Sequence, residues 1–63
     1  MKTQVSVNKM ANLVCDVFDE EGIDYDFDKI EITINSLDDD VFQDLEQAAK
    51  SSKVSQIISI VFD

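Results

Sequence analysis

The sequence predicts an α+β fold, a small two-layer domain with two helices packed on one face of a sheet. Three observations predict it. Apolar residues recur with helical period over residues 7–21 and again over 36–52. Between them, "GIDYDFDKIEITIN" (residues 22–35) alternates apolar with acidic or polar side chains, the period of a strand. The terminal "KVSQIISIVFD" (residues 53–63) is β-branched and apolar on both faces. The 63 residues make one domain, 1–63, burying only roughly 60% of its unfolded surface. The 44% apolar content is too high for a disordered acidic tail.

The first element expected is a short strand, "KTQVSV". The first helix follows. Val7, Met10, Ala11, Val14, Val17 and Phe18 share a face, Leu13 lies at its edge, and Lys9, Asn12, Asp16, Asp19 and Glu20 lie opposite. Ser6 or Asn8 suits the cap, and Gly22 suits a left-handed stop. Ile23, Tyr25 and Phe27 then alternate with Asp24, Asp26 and Asp28, and Ile30, Ile32 and Ile34 with Glu31, Thr33 and Asn35. The apolar parity changes between Phe27 and Ile30, so Asp28–Lys29 holds either a bulge in one strand or the turn of a hairpin. The second helix spans "SLDDDVFQDLEQAAKSS", with Ser36 as N-cap and Asp39 as a capping-box acid. Its buried stripe is Leu37, Val41, Leu45, Ala48 and Ala49, with Phe42 at the margin and Glu46–Lys50 an i,i+4 pair. In the final strand Val54, Ile58, Ile60 and Phe62 point one way, Ile57 and Val61 the other.

The order is β-α-β-β-α-β with a hairpin, or β-α-β-α-β with a bulge. The first resembles the ferredoxin-like split βαβ fold. Small metal chaperones of that fold carry a paired-cysteine loop before the first helix. "SVNKMANLVC" stands there instead, so copper or mercury transfer does not carry over.

Charge is the most informative quantity. The net charge is −9, with neither Arg nor His. Residues 16–46 hold thirteen acids against Lys29 alone, a net −12, while both flanks are slightly positive. Such a field repels nucleic acid and anionic membranes and attracts basic surfaces. The same acid would also serve solubility.

Other chemistries fit poorly. Asp24-x-Asp26-x-Asp28 resembles the start of an EF-hand loop, but Lys29 replaces the turn glycine and Asn35 the bidentate glutamate. Asp38-Asp39-Asp40 suits the first turn of a helix. Cys15, the only cysteine, has Asp16 beside it and no His or Arg to activate it, and reads as a semi-buried structural residue. No cofactor, metal or enzymatic activity is expected. Met1 is followed by Lys2 and Thr3 rather than an apolar run, and no segment has the length of a membrane span, so a cytoplasmic protein is expected.

What remains is the acid itself. On a strand, Asp24, Asp26 and Asp28 would stand in a row roughly 6.6 Å apart, beside Tyr25 and Glu31, with Asp16, Asp19 and Glu20 on the first helix. These eight residues form the expected partner-binding surface. Compact, acidic, cysteine-poor chains of this size resemble phage-encoded anti-defence inhibitors, including anti-CRISPR and anti-restriction proteins of the DNA-mimic type. The resemblance rests on size and charge. It implies a non-enzymatic inhibitor that occupies the basic surface of a nucleic-acid-handling protein. The alternative is a small structural or oligomerising domain, with a homodimer through the last strand or a helix face.

Overall fold

The structure, a computed structural model, describes residues 3–62. Four helices follow one another: α1 (Gln4–Glu21), α2 (Phe27–Asn35), α3 (Asp39–Lys50) and α4 (Val54–Val61). No strand forms among the described residues, so the expected α+β domain is instead all-α. None of the helices is long and apolar enough to cross a membrane. At 1.5 Å per residue α1 runs roughly 27 Å, nearly the whole 29 Å long axis. The other three helices each pack against it, and α4 also packs on α2 and α3.

The expected first strand is the opening of α1; Lys2 lies outside the described residues. A reciprocal cap starts the helix early. The Ser6 N–H donates to Thr3 Oγ1 at 3.1 Å, and the Thr3 N–H donates to Ser6 Oγ at 2.7 Å. Ser6 is thus the partner of the cap rather than the cap itself. Val7, Met10, Ala11, Val14, Cys15, Val17 and Phe18 are all buried, seven of the fifteen core residues. The helix ends at Gly22, φ 70°, in a Schellman arrangement: Ile23 N–H donates to the Phe18 carbonyl and Gly22 N–H to that of Asp19.

The alternating segment is not a strand. Asp24–Asp26 is a linker, and Phe27–Asn35 is helix. The parity change at Asp28–Lys29 marks neither bulge nor hairpin but the first turn of α2. Phe27, Ile30 and Ile34 stand at i, i+3 and i+7, one helical face. Ile32 discriminates between the two geometries. A strand would bury it with Ile30 and Ile34, yet it is 66% exposed while they are 1% and 0% exposed. Asp26 caps the helix by accepting the Asp28 N–H at 3.1 Å.

The expected second helix is α3, but shorter. Ser36 closes α2, and Asp38 occupies the N-cap position without a side-chain cap bond. Leu45, Ala48 and Ala49 are buried as expected, whereas Leu37 and Val41 are only half-buried. Phe42 is a core residue rather than a marginal one. The Glu46–Lys50 pair forms at 4.0 Å. Ser52 reverses the chain with φ 54°, in a second Schellman ending: Lys53 N–H reaches the Ala48 carbonyl and Ser52 N–H that of Ala49.

The expected final strand is α4. Val54, Ile57, Ile58 and Val61 stand at i, i+3, i+4 and i+7, so its two apolar strand faces merge into one helical face. Ile57 and Val61 are buried, and Val54, Ile58 and Ile60 pack at the margin.

The two left-handed stops should respond oppositely to substitution. At Gly22 an added Cβ meets nothing within 4 Å, so Gly22→Ala carries only the cost of its positive φ, about 1 kcal/mol. Ser52→Gly should stabilise by roughly 0.5 kcal/mol, relief of the same strain less the extra chain entropy of glycine. Denaturant melts of both variants measure this. Equal stability of both variants and the parent chain would show that neither stop is strained.

Candidate functional site

A cleft of about 520 Å³ lies between the Asp24–Asp26 linker, one flank of α2 and the end of α4. Asp24, Tyr25 and Asp26 line it from the linker, Lys29, Ile30 and Thr33 from α2, and Val61 and Phe62 from α4. An aromatic group builds its wall. Phe18 is fully buried at the end of α1. Tyr25 lies tilted against it with ring centroids 6.1 Å apart, and Phe62 stacks on it at 5.5 Å and 16°. Phe62 remains 51% exposed. One face of its ring is held and the other is open.

The eight expected partner-binding residues divide into groups. Asp24, Tyr25 and Asp26 are brought together in the cleft. Asp16 and Asp19 lie close enough to act on the Tyr25 hydroxyl. A hydrogen bond to the Asp19 carboxylate, then burial and the surrounding negative charge, holds that hydroxyl above its ordinary value of 10.0, and protonated at neutral pH. Glu20 is exposed on α1. Asp28 sits in the first turn of α2, its N–H bonded to Asp26. Glu31 lies apart from the cleft, accepting from Asn8 Nδ2 at 3.1 Å and so tying α2 to α1. The even row of Asp24, Asp26 and Asp28 therefore does not exist: one is in the linker, one is a cap, and one is in a helix.

Sequence reasoning missed Lys29, Ile30, Thr33, Val61 and Phe62. For Val61 and Phe62 the signal was the helical spacing from Val54 to Val61, which delivers Phe62 just beyond the last turn of α4; for Ile30 and Thr33 it was the Phe27, Ile30, Ile34 spacing of α2.

The carboxylates do not converge on a metal geometry: no group of three potential metal ligands forms among the described residues. Cys15 is buried rather than semi-buried, at 5% exposure. Burial first, then the Asp19 and Asp16 charges, push its thiol above the ordinary 9.0 and keep it protonated. A smaller groove of about 220 Å³ between α1 and α3 has the opposite character, with Lys9 and Lys50 beside Met10, Leu13 and Phe42.

Helix dipoles sort the acids by role. In α3, Asp39 and Asp40 occupy the first turn and Lys50 the last, as the dipole favours. In α1 the order is reversed. Its first turn has no acid, while Asp19, Glu20 and Glu21 crowd its C-terminal end with no basic residue in the last turn. Carboxylates there oppose the dipole by roughly 0.3–1 kcal/mol each. Among the described residues only Glu46 has an ion-pair partner within 4.0 Å.

The chain matches no family model, no curated protein and no solved structure.

Two stability measurements follow from this charge arrangement. Glu20→Lys with Glu21→Lys should raise the melting temperature by about 4–8 °C, corresponding to about 1 kcal/mol in a domain of this size. An unchanged or lower value would show that the α1 acids are not opposed by the dipole. In the parent chain, raising salt from about 0.01 to 0.5 M should raise the melting temperature as repulsion is screened. A flat or falling trend would show that self-repulsion is not significant.

Proposed function

We propose that the chain is a non-enzymatic inhibitor that lays its acidic surface on the basic, nucleic-acid-binding surface of a partner protein. The observation that supports this most strongly is the group Asp16, Asp19, Glu20 and Glu21 at the C-terminal half of α1. Asp19, Glu20 and Glu21 work against their own helix, and none of the four has an ion-pair partner among the described residues. A domain of this length has only roughly 3–9 kcal/mol of stability. Residues that lower it, concentrated in one place, are best understood as serving a partner. Each exposed pair contributes at most about 1 kcal/mol, so the surface acts collectively and by steering encounter.

A second reading is a self-associating accessory domain. Val5 and Ile32, 65% and 66% exposed, favour it.

Affinity capture from lysate at low salt, followed by competition with duplex DNA, separates the two. Release of the captured protein by DNA, together with inhibition of that protein's own DNA binding by the chain, supports the inhibitor. A salt-insensitive homodimer without a heterologous partner supports the accessory domain. Asp16→Asn, Glu20→Gln and Glu21→Gln combined should weaken capture about tenfold or more at low salt. Asp39→Asn, Asp44→Asn and Glu46→Gln remove the same charge from α3 and should do much less. Equal losses from the two sets would make net charge, not the α1 surface, the determinant.

A further inference from the structure

We propose that the cleft at Tyr25 and Phe62 is a peptide-docking site, taking an apolar side chain flanked by lysine or arginine from a basic partner. The inference rests on the reading of the partner as basic and assigns it a point of anchorage.

Size and lining give the first part of the argument. A volume of about 520 Å³ lies within the range of small-ligand pockets, roughly 300–1,000 Å³. Its floor is apolar: Ile30 is 1% and Val61 7% exposed. Tyr25 and Phe62 form the aromatic wall, and both rings are already fixed against Phe18. A held aromatic ring binds with little further loss of side-chain entropy, the property that makes such residues anchors at interfaces.

Charge decides the occupant. Asp24 and Asp26 stand on the rim, and Asp19 and Asp16 project their field onto Tyr25 from α1. One oxygen of Asp26 is committed to the Asp28 N–H. Asp24 is exposed and bonded to nothing in the described chain, and so can meet a cation. Lys29 is the sole positive group in the lining. A nucleic acid is repelled by this field. A second copy is disfavoured too, because it carries the same −9. A basic segment with an aliphatic or aromatic residue matches both the rim and the floor. The Lys9 and Lys50 groove between α1 and α3 does not offer that match.

Capped pentapeptides test this by backbone amide shifts at about 50 mM salt. The probes are Arg-Lys-Leu-Lys-Arg, its serine analogue Arg-Lys-Ser-Lys-Arg, and the neutral Gly-Ser-Leu-Ser-Gly. The basic leucine peptide should shift amides of residues 24–33 and 61–62, bind about tenfold tighter than the serine peptide, as half-burying a leucine side chain implies, and bind at least about threefold tighter than the neutral leucine peptide through its cations on the acidic rim. Thr33→Arg, which puts a cation and bulk into the cleft, should abolish those shifts. Asp24→Asn, which touches no packing, should weaken binding about threefold, and Phe62→Ser at least fivefold. Ile32→Ser, an apolar loss at an exposed position outside the cleft, should change nothing. Equal binding of the leucine and serine peptides, with shifts spread over residues 16–21 and 39–44, would overturn the cleft and leave the acidic-surface reading standing. Equal binding of the neutral leucine peptide would overturn the basic occupant. Concentration-dependent cleft shifts without peptide would identify a second copy as the occupant instead. Binding of neither basic peptide would overturn the inference and the reading beneath it.

Discussion

Everything in this fold depends on burying the face of α1. Its seven core residues, from Val7 to Phe18, cover about 160° of the helix surface at 100° per residue. The partner helices have nine, twelve and eight residues. Isolated helices shorter than about 12–15 residues are marginal in water. None of the three sustains itself, and each exists because it covers part of α1. Both sharp reversals that let them do so, at Gly22 and Ser52, are left-handed stops that tie the chain back to the preceding helix.

The same dependence explains what the sequence concealed. The α1 face was legible, because long amphipathic periodicity is the strongest local signal, and so was its stop at Gly22. Helices α2 and α4 were misread for one reason. "FDKIEITIN" and "VSQIISIV" are rich in Ile, Val and Thr, whose stiff side chains favour strands. Packing against α1 outweighs that preference. The spacing held the contrary evidence: a parity change at Phe27–Ile30 that a strand must explain away, and an i, i+3, i+4, i+7 set in α4. In segments of eight or nine residues, periods of 2 and 3.6 fit nearly the same apolar positions. Only burial decides, and burial is a tertiary property.

The candidate site divides along the same line. Asp24, Tyr25 and Asp26 are neighbours in sequence, so their grouping survived a wrong assignment of secondary structure. Phe62 lies 37 positions from Tyr25, and their meeting over Phe18 follows only when α4 is a helix. The regular aspartate row was a product of strand geometry and vanished with it. The dipole argument likewise required true helix ends. Knowing where α1 and α3 begin and end distinguishes acids that suit a helix dipole from acids that oppose one.

Phe18 joins these two themes. It is the last core residue of α1 and also the surface on which Tyr25 and Phe62 rest. The cleft wall is therefore a layer over the core, and the end of α4 is held partly by that layer. Phe62 N–H donates to the Ile58 carbonyl at 2.8 Å, closing the last turn without any side-chain cap at the start of α4. An occupant that covers the open face of Phe62 would add contacts to the least self-sufficient helix in the domain. Binding and folding are then linked through one aromatic stack. A chain that places carboxylates against its own helix dipole can recover in the bound state part of the stability it lacks when free.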